Sequence, residues 1–166
     1  MTLEQLWASW RAAYVASVDD EPADDQSVFS RILASGLPDT ETHIVWRGET
    51  CFAILNAFPY TSGHLLVMPY REVGELDELS DAEHAELWQA TTSAVAALRA
   101  AYSPEGVNVG MNLGRPAGAG VPGHLHVHVL PRWNGDTNFM TSVAGVRVMP
   151  ENMADSAAKV RSSWPR

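Results

Sequence analysis

Cysteine is almost absent from the chain: Cys51 stands alone. An intrachain disulfide and a metal cage built on thiolates are therefore both excluded. Basic residues are also scarce, with 11 Lys and Arg against 20 Asp and Glu and a net charge of −9. A surface so acidic repels a phosphate backbone, which argues against nucleic acid as a partner. Any phosphate ligand has to be held by a local site. No apolar run approaches the roughly 18 residues of a membrane span, and Met1-Thr2-Leu3-Glu4-Gln5 lacks the basic start of a secretion signal. The expectation is a soluble, cytoplasmic protein with no membrane partner.

What is present suits one ordinary domain. The 166 residues are 46% apolar and 19% charged, enough to bury a core and far from the composition of a disordered chain. Leu3, Leu6, Trp7, Trp10 and Tyr14 fall at helical spacing, and Thr2 with Gln5 matches a capping box, so residues 2–17 read as an amphipathic helix. An acidic, proline-containing connector follows at Asp19 to Gln26.

From residue 43 the pattern becomes strand-like. His43 to Trp46 and Thr50 to Leu55 flank Arg47-Gly48-Glu49 and predict a hairpin. The turn Pro59-Tyr60-Thr61-Ser62-Gly63 precedes an apolar run, His64 to Met68, which Pro69 is expected to end. Ser80 to Tyr102 is the clearest helix. Ser80 and Glu83 form a capping box, and Leu87, Thr91, Ala94, Val95, Leu98 and Tyr102 share a face. Val107 to Leu113 and His124 to Leu130 read as strands joined by a glycine-rich segment, residues 114–123; Val143 to Met149 is a further strand and a helix follows Asn152. Strands in hairpins with one long helix between them predict an α+β domain on an antiparallel sheet of about five strands.

His124, His126 and His128 alternate with Leu125, Val127 and Val129. On a strand this puts imidazoles on one face and aliphatics on the other, with successive imidazoles roughly 6.5 Å apart at the backbone. A neutral imidazole can attack phosphorus, and its neighbours can hold phosphate oxygens. The glycine-rich segment can bring backbone N–H groups to a phosphate. The triplet alone also fits a metal site or a polar sheet face. His43 and His84 read as ordinary surface residues.

His124-Leu125-His126-Val127-His128-Val129-Leu130 resembles the His-φ-His-φ-His-φ-φ motif of the histidine triad (HIT) nucleotide-binding proteins. Two more segments carry the resemblance: residues 55–69, with Asn56 ahead of Gly63-His64-Leu65-Leu66-Val67-Met68-Pro69, and Gly110-Met111-Asn112-Leu113-Gly114. Together they span about residues 27–140. Residues 131–139 resemble the branch that holds bacterial diadenosine tetraphosphate phosphorylases and lies near the fragile histidine triad hydrolases. The resemblance implies a HIT-like fold over residues 27–149, an N-terminal helix and connector over 1–26 and a C-terminal extension over 150–166. It also implies a homodimer and a purine nucleotide or dinucleoside polyphosphate as substrate.

Residue by residue, the resemblance makes His126 the nucleophile that forms a covalent nucleotidyl-histidine and His128 a phosphate contact. His124 and His64 become its supporting network. Asn56 would bind ribose, Asn112 would lie beside the α-phosphate, Gly118 and Gly120 would belong to the phosphate loop, and Arg132 would meet outer phosphates or form a salt bridge. Trp164 would reach a partner's site or pack locally. No cofactor is expected to be tightly bound, although a divalent cation can accompany the nucleotide. Many bacterial members hold a structural zinc with Cys-x-x-Cys and a later His. Here Ser27, Ser30 and Glu72 stand at those positions, a poor zinc cage. The chain also lacks the hydroxyl often found shortly before the first histidine, which leaves hydrolase and phosphorylase both open, beside a nucleotide-binding regulatory module with little turnover.

Overall fold

The computed structural model describes residues 26–137 and 149–166. The expected helix at 2–17, most of the connector and most of the strand at 143–149 lie outside them. The described elements are helix α1 (Val28–Ala34), the short helix α2 (Asp39–Thr42), strands β1 (Ile44–Arg47), β2 (Cys51–Leu55) and β3 (Leu65–Pro69), helix α3 (Asp81–Tyr102), strands β4 (Gly106–Met111) and β5 (Val127–Arg132), and helix α4 (Met153–Ser163). The five strands form one antiparallel sheet in the order β1-β2-β3-β5-β4.

The β1–β2 hairpin forms where predicted. Its turn is held by the Glu86 carboxylate on α3, which accepts from the backbone N–H groups of Glu49 and Cys51, each at 2.9 Å, and from that of Thr50. Pro69 closes β3 from within, pairing with Cys51 as the last residue of the strand. The capping box of α3 is complete: Ser80 Oγ accepts from Glu83 N, and Glu83 Oε2 accepts from Ser80 N at 2.8 Å. The helix ends at Tyr102 as predicted, capped by Ser103, which is left-handed at φ 46° just before Pro104, and Gly106 opens β4.

Leu87 and Leu98 on α3 are fully buried against Leu65, Val67, Val127 and Val129, each worth roughly 1.5–3 kcal/mol of transfer free energy. Helix α4 completes this layer through Ala157 and Val160, so the C-terminal extension is part of the main core. Trp164 packs locally, stacked 5.5 Å from Trp46. The opposite sheet face is covered by α1, whose Phe29 joins Ile44, Phe52, Ile54, Leu66 and Met68.

Register decides what shares that second face. Ile44 pairs with Ile54, Ile54 with Leu66, Leu66 with His128, and His128 with Gly110. Directly opposed residues of an antiparallel sheet point the same way, so His128 ends an aliphatic row on the α1 face. Val127 and Val129 point to α3, as the alternation predicts.

Candidate active site

The histidine segment is only partly strand. β5 begins at Val127, so His124 and His126 sit in the approach to the strand, and only His128 lies on it. Their rings are still brought together: His126 and His128 are 4.9 Å apart between centroids, with planes at 66°. The cause is the approach segment itself, which Leu125 N ties to Val73 O at 2.7 Å.

Each ring is fixed by a different partner. His124, fully buried, points Nε2 at Pro69 O (2.8 Å) and Nδ1 at the Ser27 hydroxyl (2.7 Å). His126 points Nδ1 at the backbone carbonyl of His124 at 2.8 Å. A carbonyl only accepts, so Nδ1 carries the proton and the Nε2 of a neutral His126 is a bare lone pair. His64, also fully buried, accepts from Tyr60 N at Nδ1 (3.1 Å), which leaves its Nε2–H to donate to His128 Nδ1 at 2.9 Å. His128 then presents Nε2–H. Burial pushes all three triad imidazoles below their ordinary value, and His128, which also faces His126, drops to about 4. The pair near neutral pH is thus one bare nitrogen beside one N–H donor.

This arrangement decides between the readings left open by the triplet. Both nitrogens of His124 and the Nδ1 atoms of His126 and His128 are engaged, so the three rings do not converge on a metal. A polar surface is excluded too, since His126 is only 8% exposed.

The cleft beside His128 has a volume of about 230 Å³ and is lined by Tyr60, Asn108, Gly110, Met111, Asn112 and Leu130, among others. Gly110 stands opposite His128, and a Cβ there would meet nothing within 4 Å. Asn112 is in the cleft wall and donates to Gly118 O at 3.2 Å. Gly118, left-handed at φ 96°, closes the short turn Arg115–Ala117; Gly120 is exposed nearby. Asn56 follows β2, accepting from Phe58 N at 3.0 Å and facing His64 Nδ1 at 3.4 Å. Arg132 takes the salt-bridge alternative, with Asp136 at 2.6 and 2.8 Å and Asn108 at 2.8 Å.

Two expectations for other histidines need correction. His84 is half-buried with Nε2 3.2 Å from Leu76 O. His43 is half-buried and left-handed at φ 61°, with a buried Nδ1 that has no partner. Both lie at element boundaries, where burial does not follow strand or helix periodicity. Sequence reasoning also passed over Tyr60 and Phe29. The Tyr60 ring lies 6.1 Å from His128 at 14° and 4.6 Å from His64. Phe29 meets His124 at 5.4 Å and His126 at 5.5 Å. Tyr60 lies within the 55–69 segment but was read only as part of a turn, and Phe29 was marked only by its adjacency to Ser27 and Ser30.

A profile described as the HIT domain matches residues 38–135. The AP-4-A phosphorylase of Mycobacterium tuberculosis is 41% identical over 169 residues, covering 99% of this chain and 86% of the relative. This chain belongs to the HIT domain family. Another relative of this HIT protein is the asymmetrical bis(5'-nucleosyl)-tetraphosphatase of Schizosaccharomyces pombe, 32% identical over 57% of this chain and 52% of the relative. Among solved structures, a zinc-bound histidine triad family protein from Mycobacterium smegmatis superposes with a TM-score of 0.68 at 27% identity, covering 84% of this chain and 93% of that one.

The donor set of this HIT protein does not suit zinc. Ser27, Ser30 and Glu72 do meet beside His124, but as hydroxyls and a carboxylate bonded to one another. Ser27 N donates to Glu72 Oε1 at 2.9 Å, Ser30 N donates to Ser27 Oγ at 3.2 Å, and the Ser30 hydroxyl bonds the Glu72 carboxylate, which helps hold it below the ordinary range. Zinc prefers thiolate and imidazole. Among the described residues no other cluster of His, Cys, Asp and Glu is spaced to hold a metal. Cys51 is no rival nucleophile, since burial pushes its thiol up to about 11. Among the described residues no helix is long and apolar enough to cross a membrane.

Proposed function

We propose that this HIT protein cleaves a phosphoanhydride bond of a purine dinucleoside polyphosphate through a nucleotidyl group carried on His126. The observation that carries the reading is the tautomer of that ring: its proton is committed to the His124 carbonyl, and its other nitrogen is bare on a ring 4.9 Å from His128, which lines the cleft. The His126 Nε2 lone pair attacks the α-phosphorus and forms a P–N bond. The P–O bond to the rest of the polyphosphate breaks, and its electron pair leaves on that oxygen. An acceptor oxygen then attacks the same phosphorus, and the P–N bond breaks. Two inversions give net retention.

In this reading His128 Nε2–H holds a phosphate oxygen, His64 fixes the His128 tautomer, and His124 supplies the carbonyl that fixes His126. Asn56 binds ribose, Asn112 lies beside the α-phosphate, and the backbone around Gly118 and Gly120 meets the phosphates. Arg132 takes part only if Asp136 releases it. The described lining of the cleft holds no lysine or arginine, so a divalent cation travelling with the substrate would neutralise the polyphosphate. The setting is a cytoplasmic homodimer. Among the described residues β4 is an edge strand, and exposed Val109 on it and Leu113 just beyond it favour sheet-to-sheet pairing.

Water as acceptor makes the protein a hydrolase. Phosphate as acceptor is favoured by one observation, the 41% identity over 99% of the chain to a relative named as a phosphorylase. The relative named as a tetraphosphatase matches only 57%. Incubation with diadenosine tetraphosphate, with and without phosphate, separates the two. AMP plus ATP marks hydrolysis, and ADP plus ATP formed only with phosphate marks phosphorolysis. Rapid quenching during turnover should trap an acid-labile nucleotide on His126; turnover without such an adduct overturns the mechanism.

A further inference from the structure

We propose that Ser27 is a positioning residue for His126, acting through His124. The Ser27 hydroxyl stands at the N-terminus of α1 and makes bonds in two directions. As the helix cap it accepts from Ser30 N at 3.2 Å and stands 3.3 Å from the Ser30 hydroxyl, and it lies 2.7 Å from His124 Nδ1, the shortest of the three contacts. The other ring nitrogen of His124 faces Pro69 O at 2.8 Å. That carbonyl forces the proton onto Nε2, so in the neutral ring Nδ1 accepts and Ser27 donates. The imidazole of His124 is thereby pinned at both ends between α1 and the end of β3.

What this pinning fixes is a backbone atom. The carbonyl of the same His124 takes the Nδ1 proton of His126, so rotation of the anchored residue would misdirect the nucleophile. The clasp has a second arm. Glu72 accepts from Ser27 N at 2.9 Å and is bonded by Ser30, which ties the start of α1 to the segment after β3. Two residues beyond Ser27, Phe29 closes over both rings, edge-on to His124 at 87° and tilted to His126 at 59°. The first turn of α1 therefore orients the bare nitrogen of His126 without touching substrate.

The kinetic arm of the test rests on the cleavage reading above; the spectroscopic arm does not. Glycine is a tolerated helix cap but has no hydroxyl, whereas threonine keeps both bonds. S27G should lower kcat about tenfold with KM within about twofold, as expected when a nucleophile is misaligned but the binding walls remain. S27T should restore most of the loss. In nitrogen-15 spectra of the imidazoles, the His126 Nδ1–H should exchange faster with water in S27G than in the wild type.

S27G with wild-type kcat overturns the proposal, and so does a loss of kcat that leaves the His126 Nδ1–H unchanged. If S27G does not fold, the wild-type protein decides: His124 Nδ1 should resonate as a hydrogen-bonded imine nitrogen, and a free-imine position overturns the clasp. A wild type that forms no products from diadenosine tetraphosphate sinks the cleavage reading alone, because the imidazole signals still report whether Ser27 orients the rings.

Discussion

At His126 the chemistry turns on where one proton sits. Burial lowers the affinity of this ring for a second proton, the His124 carbonyl pulls the other way, and burial is the larger effect. A nucleophile with a lowered value stays unprotonated into mild acid, so the acid limb of kcat/KM should fall below pH 6.5. A limb centred above 6.5 would show that the attacking group is not this buried ring. Replacing His126 with Ala should remove at least about a thousandfold of turnover while nucleotide still binds, because a covalent route is lost but the cleft keeps its walls. Equilibrium binding alongside single-turnover rates checks both halves. The residue types were legible from their spacing, since alternating imidazoles and aliphatics predict opposite faces and Val127, Val129 and His128 obey. The ring partners were not. Pro69 and Ser27 reach His124 through backbone and side-chain geometry across 55 and 97 positions, and no local pattern encodes such contacts.

Among the elements, the turn into β3 is the most sensitive part of the site. Gly63 has φ +78°, and a Cβ there would lie 2.6 Å from the Tyr102 ring. Gly63→Ala therefore combines left-handed strain, about 1–2 kcal/mol, with a clash against α3, and it displaces His64, the next residue. Destabilisation of about 2 kcal/mol or more, together with reduced turnover, is expected from thermal melts and product assays; an alanine variant with unchanged melting and activity would contradict the packing. Ser80→Ala tests a more remote device. Losing its bond to Glu83 N should cost about 1 kcal/mol without changing the pH profile of activity. That capping box was legible because serine and glutamate three apart ahead of an apolar stripe leave few alternatives. The start of β5 was not, because Leu125 pairs with Val73 outside the sheet and delays the strand until Val127. Helix α1 was also missed: only seven residues carry it, too few for a periodic stripe to stand out.

For the whole molecule, an antiparallel α+β sheet was legible, but not its strand order. Hairpin logic places sequential strands side by side, whereas β5 returns between β3 and β4, and nothing local records that insertion. Its consequence is that His128 is flanked by β3 on one side and β4 on the other, and burial depresses the three imidazoles together. Above pH 6.5 these rings are neutral in both folded and unfolded chains, and their contribution to stability is fully present. As pH falls through 6.5 the unfolded chain takes up protons that the folded chain refuses, so stability is lost progressively, down to about pH 4 for His128. The competing effect is relief of self-repulsion in a chain of net charge −9. That relief depends on neutralising carboxylates, whose ordinary values lie near 4.5 and whose buried-partner members lie lower, Glu83 at about 2. Between pH 7 and 5 the histidines therefore dominate. The melting temperature should drop across that interval, and His128→Asn should flatten part of the slope. A wild-type melting temperature that stays level or rises from pH 7 to 5 would mean that these rings accept protons in the folded state, and with that the bare nitrogen assigned to His126 would be lost.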